Sequence, residues 1–195
     1  MYGISNLFQI GSGRGPSAWS IVSSMTRTVE QLQLSMEDED TRQSTEFLIK
    51  RIAFLPPCES WIETEERRRV FWNVFLMDRF CSVTTGWNFS LTSADVKRRL
   101  PCEGALWEEG KPLKTQTPYF GISDKSLSTT ETLPATRPEL VDQASLGGFA
   151  YCIEASESLS QVTTFFLRHA VNVSNAHNIQ LWLMRFRELD LRLIQ

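Results

Sequence analysis

The chain has 195 residues, 42% of them hydrophobic and 22% charged, so it is long enough to bury a sizeable core. A net charge of -3 and an isoelectric point near 5.5 leave no overall positive field to draw in nucleic acid. Six Trp and twelve Phe exceed what a disordered chain carries, because large rings need a packed interior to leave water.

The four cysteines, Cys58, Cys81, Cys102 and Cys152, include no close pair of the kind that chelates zinc, and they read as buried free thiols in a reducing compartment. No charged-then-apolar leader opens the sequence and no run of about 18 apolar residues occurs, so no membrane association is expected. The sequons at Asn88 and Asn172 mean little without a signal peptide.

Gly11-Ser12-Gly13-Arg14-Gly15 lacks a preceding strand and a following Lys-Ser or Lys-Thr, so it reads as a flexible turn rather than a phosphate cradle. Behind it, Ala18, Ile21, Val22, Met25, Val29 and Leu32 recur at steps of three and four, predicting a helix over 17–34 with Pro16 in its first turn. The acidic stretch 35–44 predicts a solvated connection, and a second ordered piece is expected from Glu46.

The strongest helix signal spans 60–80, after Pro56 and Pro57. Ser60 and Glu63 form a capping-box pattern, and Glu63 with Arg67 and Glu65 with Arg69 stand at four-residue spacing on what should be a solvated surface. Residues 70–77 are apolar nearly all round and predict a central core helix. Asp78 then needs a partner from another element, since Arg67 lies three turns away; Arg27 is the first candidate. The basic triplet 97–99 is expected on a solvated loop or a contact surface.

From Pro101 to about residue 140 the chain is rich in Pro, Gly, Ser and Thr and predicts a long irregular loop with Trp107, Tyr119 and Phe120 as isolated anchors. Helical periodicity resumes over 146–167 and 179–194. Two-residue alternation and fixed-period repeats are absent, so the expected fold class is all-α: a multi-helix bundle, with 1–100 its core helices, 101–140 the loop and 141–195 the C-terminal helices of a single domain. The open apolar faces at both ends predict a part of a larger chain. His169 and His177 have no ligand partners nearby, and no nucleophile elbow is present, so neither a metal site nor an enzyme is expected.

Three stretches together resemble the fungal transcription-factor regulatory domain, the middle homology region of binuclear zinc-cluster activators. The first is Gly13-Arg14-Gly15 through Ala18-Trp19, with Arg27 and Leu32-Gln33-Leu34. The second, and most specific, is Glu65-Glu66-Arg67-Arg68-Arg69-Val70-Phe71-Trp72, then Leu76-Met77-Asp78-Arg79-Phe80 and Gly86. The third runs from Arg99-Leu100-Pro101-Cys102 and Trp107 through Pro118-Tyr119-Phe120-Gly121 to Phe165-Phe166-Leu167, Trp182, Phe186, Leu189 and Asp190. Gly86-Trp87-Asn88 stands where the family shows Gly-Arg-Pro, and Thr28-Val29 replaces Met-Ala.

The resemblance implies a nuclear, non-catalytic module of RNA polymerase II transcription that works through other segments of a full-length factor, co-regulators or a second copy of the chain. It implies Trp19, Arg27, Arg67, Arg68, Arg69, Phe71, Trp72, Asp78, Arg79, Gly86 and Pro101 as a structural signature. Zinc and direct DNA contact belong to the family's N-terminal cluster, which these residues do not encode, so no cofactor is expected. The alternative is a small-molecule sensor whose aromatic helices enclose an apolar effector pocket under a 101–138 lid.

Overall fold

The computed structural model describes residues 15–38, 52–110, 112–121, 145–168 and 171–194. Among them all regular structure is helical and no strand occurs, as the sequence predicts. Helix α1 spans Gly15–Gln31, α2 Trp61–Thr85, α3 Gly104–Glu108, α4 Gly148–Val162 and α5 Ala176–Ile194. A 3-10 turn lies at Ser93–Asp95, and a π-helical turn, Thr163–Leu167, continues α4. The 11–14 turn, the ordered piece expected from Glu46, His169 and the loop over 122–144 fall outside the described residues.

Helix α1 buries Ala18, Val22 and Val29 against α2, along with Thr26, whose hydroxyl is satisfied by the Ser23 carbonyl at 2.8 Å. It ends in a paired closure: the Leu34 amide reaches the Val29 carbonyl (2.9 Å) and the Gln33 amide that of Glu30 (3.0 Å). This turn requires a left-handed residue at position 33, and Gln33 supplies it with φ 57° where glycine is the usual choice. Leu34 and Val29, on either side of the turn, are both buried in the core.

Ser60 caps α2 by accepting from the Glu63 amide at 3.2 Å, while the Glu63 carboxylate turns back to the Glu59 amide, one residue earlier than a capping box prescribes. The helix runs past the expected end at Phe80 to Thr85, where Gly86, at φ 76°, bonds back to the Ser82 carbonyl (3.0 Å). Of its apolar second half, Phe71, Trp72, Val74 and Phe75 are buried, whereas Val70 and Phe80 lie on an outer face and are nearly half exposed. The rings of Phe71, Trp72, Phe75 and Phe120 meet at 5.0–5.4 Å edge-to-face and tilted, and fill the space between them.

After the 3-10 turn Lys97 is exposed, but Arg98 and Arg99 lie in the interior and not on a solvated loop or a contact surface. Residues 97–102 form an extended strap across α2, pairing one residue at a time with three remote segments: Lys97 with Met36, Arg99 with Tyr119, Cys102 with Leu146. From Arg98 to Cys102 every residue is buried, Pro101 included. Beyond Pro101, residues 112–121 return along the strap, where the Leu100 amide donates to the Pro118 carbonyl and the Phe120 amide to the Arg98 carbonyl. The long irregular loop is therefore anchored at its start.

Helix α4 buries Ala150, Ile153, Glu157 and Ser160, a stripe of three- and four-residue steps that includes one acid. Helix α5 is attached through an aromatic group, Phe166 with Trp182 (5.2 Å) and Trp182 stacked on Phe186 (5.6 Å). Leu189 is buried, while Leu181, Leu183, Met184 and Leu191 remain about half exposed. The cysteines divide: Cys81 and Cys102 are buried as expected, but Cys58 is half-buried and Cys152 exposed.

Candidate functional site

The signature residues converge on α2, which carries a buried ion network along each half. In the first half Glu65, fully buried, accepts from Arg69 Nε (3.1 Å), the Cys102 amide (2.9 Å) and, more distantly, Arg68 Nη1 (3.5 Å). Glu37, beyond the end of α1, takes two parallel hydrogen bonds from Arg68 (2.9 and 3.0 Å) and one from the Arg99 amide (3.0 Å). Arg98 Nε stands 3.7 Å from the same carboxylate. Arg69 also donates to the Cys102 carbonyl (2.8 Å) and lies 4.4 Å over the Trp107 ring.

This overturns three expectations at once. The 67–69 triplet is no solvated face, the acidic stretch after α1 dips into the interior at Glu37, and Arg98 and Arg99 are buried. The i,i+4 pairs are present, Glu63 with Arg67 at 2.6 Å and Glu65 with Arg69 at 3.1 Å, but the second is interior. The physical reason is that the strap brings the Arg99 and Cys102 amides to the carboxylates of Glu37 and Glu65, and the Cys102 carbonyl to Arg69. A guanidinium can be taken out of water only if its fork is filled.

In the second half Asp78 accepts from the Ser90 amide (2.9 Å) and the Leu91 amide (2.9 Å), with Arg79 Nη1 at 3.3 Å. Arg27 is not its partner: that side chain is 81% exposed and pairs with Glu30 at 3.2 Å. Backbone amides after Gly86 do what a remote cation was expected to do. Arg79 itself is the centre of this half. It donates to Glu157 (2.7 Å), the Leu91 carbonyl (2.8 Å) and Ser93 Oγ (3.0 Å), sandwiched between the Phe75 and Phe89 rings at 4.1 Å each. Ser93 and Gln161 complete Glu157 at 2.6 and 2.8 Å. Arg168 closes the end of α2, donating to the carbonyls of Ser82 (2.9 Å) and Trp87 (2.6 Å).

The carboxyls differ in their response. Burial pushes Glu37 up, but Arg68, Arg98 and the Arg99 amide outweigh it and hold the group below its ordinary value. Glu157 is likewise raised by burial and lowered further by Arg79, Ser93 and Gln161. At Asp78 burial wins over the Leu91 and Ser90 amides and Arg79, and the group is raised. Burial and the neighbouring Glu65 push the Cys102 thiol up to about 11, so it stays protonated.

Among the signature residues, Arg67, Arg68, Arg69, Phe71, Trp72, Asp78, Arg79 and Pro101 are brought together on α2 and its strap, and Gly86 ends the helix. Trp19 is not among them; it sits partly exposed at the edge of the Trp87 ring (5.3 Å). Sequence reasoning missed Glu37, Arg98, Ser93, Glu157 and Arg168. Only Glu157 carried a legible signal, as an acid on the apolar stripe of α4. Among the described residues no group of three His, Cys, Asp or Glu could hold a metal, and no helix is long and apolar enough to cross a membrane. Phe71, Trp72, Phe75 and Phe120 pack against one another, as do Phe166, Trp182 and Phe186.

The fungal-specific transcription factor domain matches residues 4–133, more than half of the chain. A pigment biosynthesis transcriptional activator of Monascus ruber is 46% identical over 60 residues, 30% of this chain and 11% of the relative. An uncharacterised transcriptional regulatory protein of Schizosaccharomyces pombe is 26% identical over 134 residues, 65% and 18%. A citrinin biosynthesis transcriptional activator of Monascus ruber is 28% identical over 97 residues, 50% and 17%. The chain thus spans under a fifth of these relatives' length, and no solved structure matches it. The match over the signature helices places the chain in the fungal-specific transcription factor domain family, as a regulatory domain of a transcription factor.

Proposed function

We propose that this domain controls the transcription of a biosynthetic gene cluster from the nucleus, without catalysing a reaction. It acts as one unit through contacts with other segments of a full-length factor or with co-regulators. DNA and zinc are met only through a separate zinc cluster of the kind the family carries, and the domain itself needs no cofactor. The observation that carries the reading is that the buried charges on and around α2 are committed to protein partners: Glu65, Glu37, Asp78 and Glu157 each accept several protein donors, which suits a rigid scaffold and not an acid or base awaiting substrate. The names of the pigment and citrinin activators support the choice of target genes.

The test is transcript measurement across the genes neighbouring the chromosomal copy after introducing Arg79→Met. Coordinate loss or gain of a contiguous block supports the reading. Unchanged transcripts, with the variant protein shown to be unfolded, would remove it.

A further inference from the structure

Helix α5 carries two apolar seams on opposite sides. Ile179, Trp182, Phe186 and Leu189 recur at steps of three and four, and this seam packs on α4 and its π-helical turn: Phe166 meets the Trp182 ring at 5.2 Å and the Phe186 ring at 6.1 Å, and Leu189 is buried. Leu181, Met184, Glu188 and Leu191 repeat at steps of three, four and three on the far side of the same helix, the spacing of a coiled-coil seam. The apolar members of this outer seam remain open to solvent, with Leu181 48% exposed, Met184 53% and Leu191 48%.

The charges beside the outer seam are of one sign. At its flanking positions the sequence has Gln180, Arg185, Arg187 and Arg192, and no acid. Arg185 lies 5.2 Å over the Phe165 ring and donates to Glu188 at 2.9 Å, so the one polar member of the seam already has its cation. Arg187 is exposed and has no ion pair among the described residues. Asp190, the other acid of the helix, falls outside both the outer seam and its flanks. A second copy of α5 would therefore set arginines against arginines, and a wholly apolar partner would leave Arg187 unmatched. A helix whose apolar seam is flanked by carboxylates answers both.

We infer that the outer seam of α5 docks an acidic amphipathic helix presented by a separate co-regulator protein. The apolar seam of that helix covers Leu181, Met184 and Leu191, and its flanking carboxylates face the arginine flanks. Glu188, held by Arg185, sets the register, because a polar seam residue accepts only a facing group that can answer it. The contact is a small one, which suits a partner that binds and leaves readily. This goes beyond the regulatory reading by giving the domain a docking face separate from the α2 network.

The test titrates the full chain into two labelled synthetic peptides with leucine at their seam positions, one with glutamate and one with lysine at the flanks, read by fluorescence anisotropy. The glutamate peptide should bind saturably and the lysine peptide about tenfold more weakly. Arg187→Glu should reverse that preference, and Met184→Glu should abolish binding of the glutamate peptide, both with the unliganded Tm near wild type. No binding, equal binding of the two peptides, or an unchanged preference in Arg187→Glu would each overturn the proposal. Sedimentation showing a dimer that Met184→Glu disperses would overturn it in favour of a second copy, and a clear drop in Tm for Met184→Glu in favour of a segment of the same chain. Binding is read without transcripts, so its failure is separate from that of the transcript test.

Discussion

The two halves of α2 bury arginines in opposite ways. The first half spreads its charge: Arg68, Arg69 and Arg98 share Glu37 and Glu65 with the amides of Arg99 and Cys102, so each acid has several donors and each donor a neighbour. The second half concentrates it, since Arg79 alone ties Glu157, Ser93, the Leu91 carbonyl and Asp78 together. A shared arrangement tolerates the loss of one member. A centred one does not, because removing the centre leaves the buried Glu157 without its cation.

Arg79→Met is therefore expected to have the largest effect, a loss of about 3–5 kcal/mol in chemical denaturation, because Glu157 remains buried without its cation. Arg69→Met should cost less, roughly 1–3 kcal/mol, since Glu65 keeps Arg68 and the Cys102 amide. Equal losses at the two positions would erase the distinction.

Proton linkage sharpens it further. Glu37 is lowered from 4.5 in the folded chain, so its contribution is complete above about pH 4.5 and is lost as pH falls through the folded value. Asp78 is raised from 3.8, so its contribution is complete below pH 3.8 and is lost as pH rises through the folded value. Denaturation measured from pH 7 down to pH 3 should show the gap between wild type and Glu37→Gln, roughly 2 kcal/mol at neutral pH, closing with acid. The gap to Asp78→Asn should start smaller, about 1 kcal/mol, and widen. Parallel pH profiles for the two variants would refute the assignment of opposite shifts.

The smallest effect is expected away from both halves. Gln33→Gly relieves a left-handed backbone at the end of α1 and should raise stability by up to about 1 kcal/mol, visible as a small rise in Tm. A loss would mean that the hydrogen bond from Gln33 Nε2 to the Ile52 carbonyl (3.2 Å) matters more than the backbone strain.

What could be read from the sequence was local. The Ser60 cap, the i,i+4 carboxylate-arginine pairs and the apolar run around Phe71, Trp72 and Phe75 depend on spacing within one helix, and all three are found where spacing puts them. Short-range rules treat charge as a reason for exposure, and so place Glu37 on a solvated connection and Arg98 and Arg99 on a solvated loop or a contact surface. Only the strap, which brings Arg98 and the Arg99 amide to Glu37 from about 60 residues away in the chain, makes their burial tolerable. Asp78 illustrates the same limit: the sequence shows that it needs a partner, but a side chain was sought when the answer was the backbone at Ser90 and Leu91. Phe120 was read as an isolated anchor, because its contact with Trp72 depends on the return of residues 112–121 along the strap.

That strap also has a kinetic meaning. By joining Lys97 to Met36 and Cys102 to Leu146, it closes two long loops of chain through single residue pairs, and neither closure gains much until the arginines beneath it are matched. Folding should accordingly be slow for a helical protein, with the helices formed early and the ion network settling in the last, rate-limiting step.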